Sequence, residues 1–150
     1  MLKEGDPAPD VTLETDSGEK FQLSKQKGRK VVLYFYPKAD TPGCTIEACE
    51  FRDLNQKVSK KNAVIVGISP DAAKSQAKFK GKYDLPFTLL ADVDKAAAEA
   101  YGVWKEKNMY GRKVMGIERS TFIIDEHGKI AKIFAKVKAQ GHAEAVLALL

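Results

Sequence analysis

Short, dense apolar runs alternate along the chain with stretches whose apolar residues are spaced as in helices. The dense runs lie at 31–36, 63–69 and 87–90, and the first of them is apolar at all six positions. A strand that is apolar on both faces is typical of the centre of a sheet covered on both sides. The pattern therefore predicts a sheet whose central strands are buried.

Four stretches between and after these runs carry helix signals. Predicted helices run from around 41–44 to about Lys60, from 69–71 to about Tyr83, over 92–101, and over 142–149. Thr41 is a good N-cap and Pro42 suits the first helical position, while Gly102 fits the end of the third helix. Strands and helices thus alternate through the middle of the chain.

Two pairs of short strands are predicted to form hairpins. The first pair joins 11–13 to 21–23 through a turn at 15–18, and the second joins 120–124 to 130–137 through 125–128. The stretch 103–118 is less regular and carries exposed-looking lysines. Alternating βα units that end in a hairpin and a helix predict an α/β fold, a central mixed β-sheet flanked by helices, with an N-terminal β-hairpin.

Length and charge narrow the class of protein. A chain of 150 residues predicts a single domain, 1–150. The sequence has 25 lysines and arginines against 20 acidic residues. The lysines are scattered and no nucleic-acid-recognition motif accompanies them, so we expect no nucleic-acid partner. The sequence has no apolar run of 18 residues and no secretory signal, which predicts a cytoplasmic protein without a membrane partner.

Both cysteines of the sequence, Cys44 and Cys49, fall inside the first predicted helix. Cys44 lies in its first turn, where unpaired backbone N–H groups and the helix dipole favour the thiolate, the nucleophilic form of the side chain. It also lies on the inward, apolar side of the helix. The alternative is that both cysteines are small hydrophobic core residues, as many free cysteines are.

The spacing of the two cysteines has a geometric consequence. Five residues along a helix correspond to a rotation of about 140° and a rise of about 7.5 Å, which puts the Cα atoms about 9 Å apart. A disulfide tolerates at most about 7 Å. Cys44 and Cys49 could therefore pair only if the first turns of the helix unwound, so the sequence predicts a reduced state and a rearranged oxidised state.

A longer motif surrounds the first cysteine. Pro37, Thr41 and Cys44 reproduce the pattern Pro-x-x-x-Thr-x-x-Cys, and the run DTPGCT is followed by Glu47 and by a second cysteine. This motif resembles that of the peroxiredoxins, in their bacterioferritin-comigratory-protein or PrxQ branch. The resemblance extends from GDPAPD at 5–10 to STFIIDEHG at 120–128 and so covers nearly the whole chain.

The resemblance implies a thiol peroxidase on a thioredoxin-like fold that reduces hydrogen peroxide and organic hydroperoxides. Cys44 would attack the peroxide, and Cys49 would resolve the product as an intramolecular disulfide. Thioredoxin or a similar dithiol would then restore both thiols. The resemblance implies no cofactor, and we expect a monomer.

The resemblance and the residues together assign four supporting positions. Thr41 would contact both the sulfur and the bound peroxide in addition to capping the helix. Gly43 would leave room for close approach of the substrate to the backbone. Pro37 would shield the site from water, although it could simply end a strand. Arg119 resembles the active-site arginine of the family, and its alternative is an ordinary surface arginine.

Two further expectations concern charge. Glu47 falls on the inward side of the helix, where an unpaired carboxylate is costly, so it needs a cation, and Arg119 or Arg52 could supply it. His127 and His142 do not resemble a general base, and the two cysteines with two distant histidines form no metal motif. We therefore expect no metal.

Two other functions remain open from the residues alone. A thiol-disulfide reductase would be expected to carry Cys-x-x-Cys rather than Cys-x4-Cys. A non-catalytic redox sensor could use the same pair of cysteines as a switch.

Overall fold

A computed structural model describes residues 2–150, apart from the side chain of Met109. The strands are β1 (Thr12–Thr15), β2 (Lys20–Gln22), β3 (Lys30–Phe35), β4 (Ala63–Ser69), β5 (Thr88–Ala91), β6 (Trp104–Met109), β7 (Arg112–Ile117), β8 (Ser120–Ile124) and β9 (Ile130–Phe134). The helices are α1 (Pro42–Ser59), α2 (Ala73–Tyr83), α3 (Ala96–Ala100) and α4 (His142–Leu147), with a 3₁₀ turn at Leu23–Gln26.

Seven of the strands form one mixed sheet in the order β2-β1-β5-β4-β3-β8-β9. The three central strands β5, β4 and β3 run parallel, and β8 joins β3 antiparallel. At the N-terminal end, β1 and β2 form the predicted hairpin. The predicted α/β class with a thioredoxin-like mixed sheet is confirmed.

Apolar side chains cover both faces of this sheet. On one face Tyr34 and Ile65 pack with Phe51 of α1 and Phe79 of α2, and α4 adds Val146. On the other face Leu33 and Val66 belong to a cluster that includes α3 residues. Burying a large apolar side chain stabilises a fold by roughly 1.5–3 kcal/mol, so alternation of β3 between two covered faces explains its continuous apolar run.

Two helices begin later than predicted. The α2 helix begins at Ala73, because the Asp71 carboxylate accepts hydrogen bonds from the Ala39 N–H at 2.8 Å and the Ser69 hydroxyl at 2.6 Å and is not used as a cap. The α3 helix has only five residues, since Asp92 reaches forward from the preceding turn to accept hydrogen bonds from the first helical N–H groups, those of Ala97 and Ala98.

The stretch predicted as less regular, 103–118, contains a two-stranded hairpin instead. Strands β6 and β7 pair antiparallel from Trp104↔Ile117 to Met109↔Arg112. Tyr110 and Gly111 both have positive φ, 54° and 79°, as the tightest hairpin turns require. The last strand and helix are also shorter than predicted, since β9 ends at Phe134 and α4 ends at Leu147.

The sheet brings two parts of the chain that are distant in sequence to the same end of its strands. Because β3 and β8 are antiparallel and Phe35 lies opposite Ser120, the end of β3 and the start of β8 are neighbours. The loop after β3 leads into α1, and Arg119 directly precedes β8. Within residues 2–150, no helix is long and apolar enough to cross a bilayer.

Candidate active site

Cys44 lies at the start of α1 with its side chain directed into the protein. Pro42 begins the helix, Thr41 occupies the N-cap position, and Cys44 is the third helical residue. Its exposed fraction is 1%. The positive end of the helix dipole and the first backbone N–H groups favour a negative charge at this position, so the local structure supports a thiolate.

Arg119 bridges Cys44 and Glu47. One guanidinium nitrogen, Nη2, donates to the Cys44 Sγ at 3.3 Å, and the other, Nη1, donates to the Glu47 Oε1 at 2.6 Å. The Arg119 side chain is 16% exposed, and the Glu47 side chain is fully buried. The structure thus identifies Arg119, rather than Arg52, as the cation that Glu47 needs.

Burial shapes the charges of this group. It raises the pKa of Glu47 to about 7, and the positive charge of Arg119 opposes this rise. Burial alone would lower the pKa of Arg119, but the negative charges of Glu47 and Cys44 outweigh it and raise that pKa above its ordinary value. Arg119 therefore carries a lasting positive charge beside the sulfur atom.

Gly43 packs against the guanidinium. A Cβ atom at this position would lie 3.2 Å from the Arg119 Nη2. Such a contact is tighter than ordinary van der Waals distance, so any side chain at residue 43 would displace the arginine or the helix turn. Glycine here lets the cation approach the sulfur.

Thr41 and Pro37 lie in the loop between β3 and α1. The Thr41 hydroxyl donates to the Lys38 carbonyl at 2.8 Å and makes no capping hydrogen bond to the helix, so the predicted side-chain cap is wrong. Pro37 is half-buried and lies two residues after the end of β3. The loop is also tied to α2, because Asp40 accepts hydrogen bonds from Lys82 at 2.9 Å and from the Tyr83 hydroxyl at 2.8 Å.

Cys49 lies further along the same helix, half-buried and not bonded to Cys44. One turn beyond it, Arg52 donates to Asp53 at 3.0 Å and to the Tyr83 carbonyl at 2.9 Å. Because α1 is continuous from Pro42 to Ser59, ideal helix geometry separates the Cα atoms of Cys44 and Cys49 by about 9 Å.

His142 lies within the protein and not among the groups that touch Cys44. Its Nε2 lies 2.7 Å from the Thr121 Oγ1, and the rings of Phe51 and Phe134 meet it edge-on. Burial lowers the pKa of His142 to about 4, and the charge of Arg119 acts in the same direction. The ring is neutral near pH 7 and packs α4 against the sheet. His127 is exposed in the turn between β8 and β9.

The sequence analysis missed two residues of this region. The Tyr34 hydroxyl is fully buried and, like the Glu47 Oε2, has no hydrogen-bond partner among the described residues. Lys107 on β6 is half-buried, and the charges of Arg119 and Cys44 both act on it. Tyr34 lies within an apolar strand, where its sequence context gives no functional signal. Lys107 lies on a hairpin that was not predicted.

The arrangement is suited to attack by sulfur on a small electrophile. The helix N-terminus and the hydrogen bond from Arg119 both favour the thiolate form of the buried Cys44. The same guanidinium can donate hydrogen bonds to an anion that leaves during the reaction. Among the described residues, no three His, Cys, Asp or Glu side chains group in a way that could hold a metal ion.

Known proteins share both the sequence and the fold. The model of the AhpC/TSA family matches residues 4–133. The peroxiredoxin Bcp of Bacillus subtilis is 50% identical over 146 residues, which cover 97% of this chain and 93% of the relative.

Two solved structures show the same similarity in three dimensions. PrxQ of Xylella fastidiosa, solved with a cysteine replaced by serine, superposes with a TM-score of 0.94 at 37% identity and covers 99% of this chain and 95% of its own. The bacterioferritin comigratory protein of Xanthomonas campestris, described for its alkyl peroxide reduction activity in trapped intermediate and ligand complexes, gives a TM-score of 0.89 at 43% identity. That match covers 93% of this chain and 88% of the other.

Proposed function

Because the chain belongs to the AhpC/TSA family, and within it to the peroxiredoxins of the Bcp and PrxQ type, we propose that it reduces hydroperoxides with Cys44 as the nucleophile and Cys49 as the resolving thiol. The observation that carries the proposal is the contact of 3.3 Å between the Arg119 guanidinium and the Cys44 Sγ at the start of α1. It joins the thiol to a lasting positive charge.

The first step is a two-electron transfer from sulfur to the O–O bond. The Cys44 thiolate attacks one peroxide oxygen, an S–O bond forms and the O–O bond breaks, which leaves a sulfenic acid on the protein. The second oxygen departs as hydroxide or alkoxide and takes a proton from solvent. Arg119 faces the sulfur, so its N–H groups can stabilise the negative charge as it moves to the leaving oxygen.

The substrates are hydrogen peroxide and organic hydroperoxides. The Xanthomonas campestris relative is described as reducing alkyl peroxides. In this chain Arg119 contacts the Cys44 Sγ and Gly43 leaves room for that contact, while Thr41 and Pro37 belong to the loop that leads into α1. We assign peroxide binding to the first three and exclusion of water to Pro37.

The second step joins the two cysteines. The Cys49 thiol attacks the sulfenic sulfur of Cys44, an S–S bond forms, and the hydroxyl group leaves as water after taking up a proton. An external dithiol, thioredoxin or a similar protein, then reduces the disulfide and becomes a disulfide itself. Since both cysteines belong to one chain, a monomer suffices for this cycle.

Oxidation is expected to unwind the start of α1. Disulfide Cα atoms lie about 5.5–6 Å apart, well below the separation in the intact helix. Amide hydrogen exchange across residues 48–52 should therefore rise by at least about a hundredfold when the disulfide forms. Amides of Val32 and Leu33 in the central strand serve as the internal control and should keep their protection.

Two results would contradict this intramolecular rearrangement. Equal protection of residues 48–52 in the reduced and oxidised proteins would mean that the helix does not open. A disulfide-linked dimer as the oxidised product would mean that the two cysteines of one chain do not pair.

The whole proposal is tested by counting peroxide consumed per chain. With a dithiol reductant the wild type should turn over many times. Without a dithiol, Cys49→Ser should consume one equivalent and stop as a sulfenic acid, which dimedone labels, whereas the wild type should stop as a disulfide. Insulin reduction separates the alternatives, because a thiol-disulfide reductase would reduce insulin quickly and peroxide poorly. A redox sensor would turn over neither compound.

A further inference from the structure

The hairpin β6–β7 is rich in cations, and one of them differs from the rest. Of its four cationic side chains, all of which the structure describes, Lys105, Arg112 and Lys113 are exposed and Lys107 alone is half-buried. A lysine usually keeps its ammonium group in water. The position of Lys107 therefore calls for a local cause.

The stem of Lys107 lies along Gly116 on the neighbouring strand. A Cβ atom on Gly116 would meet the Lys107 Cδ at 3.3 Å, Cε at 3.5 Å and Nζ at 3.7 Å. Gly116 stands opposite Lys105 in the hairpin, so the Lys107 side chain leans back toward the end where β7 leads to Arg119. Glycine leaves the path along which the ammonium group reaches this end.

Charged groups from three parts of the fold affect the pKa of Lys107. They are Cys44 at the start of α1, Arg119 before β8, and Glu118 at the end of the hairpin. Burial and the positive charge of Arg119 lower the pKa of Lys107, whereas the negative charges of Cys44 and Glu118 oppose this shift.

Glu118 and Glu47 each accept one hydrogen bond from a cation other than Lys107. Glu118 accepts from Lys105 at 2.9 Å, and Glu47 accepts from Arg119 at 2.6 Å. An ammonium group held close to a guanidinium is unfavourable unless an anion lies between them. Besides Glu118, the negative charge that acts on Lys107 is that of Cys44.

We propose that Lys107 is a positioning residue of the active site, whose ammonium group supplies a second positive charge that favours the Cys44 thiolate. The inference rests on the proposed role of Cys44 as the nucleophile. It gives the hairpin a function in catalysis, because the Lys107 side chain can lie along Gly116 only when β6 and β7 are paired and residue 116 lacks a side chain.

The test measures the thiolate directly, without peroxide. In a Cys49→Ser background Cys44 is the sole thiol, and its rate of alkylation by iodoacetamide is followed from acidic to alkaline pH. Lys107→Met, which keeps the stem and removes the charge, is expected to move the profile to higher pH and to slow labelling near neutral pH by about threefold to tenfold.

Three further variants make the test specific. Lys113→Met removes the same charge from an exposed position of the same hairpin and should leave the profile unchanged. Lys107→Arg should restore most of the wild-type profile. Gly116→Val should act like Lys107→Met, because the valine side chain blocks the path of the lysine. Cys44 in the double variant Lys107→Met/Gly116→Val should be alkylated no more slowly than in Lys107→Met alone.

Two outcomes would overturn the inference. One is an unchanged profile for Lys107→Met, and the other is an equal shift for Lys113→Met, which would indicate a general effect of net charge. The test is independent of the proposed function, since failure of Cys44 to consume peroxide would leave the alkylation profiles valid. Gly116→Val keeps the lysine and serves as the second route if Lys107→Met does not fold.

Discussion

Replacing Cys44 with serine is expected to lower the rate of peroxide consumption by at least about a thousandfold. A serine hydroxyl at the same position is not ionised near neutral pH and is a far weaker nucleophile than a thiolate. The residue is 1% exposed, and serine is close to cysteine in size, so the helix and its surroundings should persist. Stopped-flow measurement of hydrogen peroxide with a dithiol reductant gives the rate.

The matched control is the same substitution five residues later. Cys49→Ser changes the same atom in the same helix and should keep the first turnover at nearly the wild-type rate. If Cys49→Ser lost the first turnover while Cys44→Ser kept it, the two roles would be reversed. Equal activity of all three proteins would remove both cysteines from the mechanism.

Replacing Arg119 with alanine is expected to slow the reaction of Cys44 with peroxide by about a hundredfold. The variant loses the cation that donates to the sulfur at 3.3 Å, so both the thiolate and the departing oxygen anion lose a stabilising partner. Iodoacetamide labelling of Cys44 should also shift to higher pH. An unchanged labelling profile would mean that the contact contributes nothing to the reactivity of the thiol.

The same substitution extends the dependence of the protein's stability on pH to higher pH. Burial raises the pKa of Glu47 from its ordinary value of 4.5 to about 7 even beside Arg119, and without Arg119 nothing opposes that rise. A carboxyl whose pKa is raised by folding stabilises the fold fully below its unfolded value, and this contribution is lost as pH rises through the folded value. Urea unfolding should therefore show a free energy of unfolding that falls from about pH 5 in both proteins, but that continues to fall above about pH 7 only in Arg119→Ala.

A second substitution separates this effect from catalysis. Adding Glu47→Gln to Arg119→Ala removes the buried charge, so the pH dependence of stability should largely disappear while peroxide reduction stays slow. Recovery of activity in the double variant would contradict the assignment of Arg119 to the reaction itself.

The parts of the structure that depend on local patterns could be predicted from the sequence. The apolar run of β3, the helix start at Pro42 and the inward position of Cys44 follow from periodicity and capping residues. The pairing of Glu47 with a cation also followed, because a buried carboxylate demands one. The choice of Arg119 over Arg52 needed the register of β3 and β8.

The errors have tertiary causes. Asp71 looks like a helix start in sequence, but it hydrogen-bonds to Ala39, which lies 32 residues away. The alanines after Asp92 suggest a helix over 92–101, but the Asp92 carboxylate accepts hydrogen bonds from the N–H groups of Ala97 and Ala98, and the helix covers only Ala96–Ala100. The hairpin β6–β7 is mostly exposed, so its strands lack an apolar face, and the Tyr110-Gly111 turn was its remaining signal.

The pairing of β3 with β8 also determines when the active site is completed during synthesis of the chain. Cys44 and Arg119 are 75 residues apart in sequence and meet only through this long-range strand pair. During synthesis from the N-terminus, Cys44 is therefore exposed for a time in a chain that has not yet produced its cation. In that interval Cys44 lacks the cation that favours its thiolate, so we expect it to react slowly with peroxide and to escape overoxidation until β8 pairs with β3.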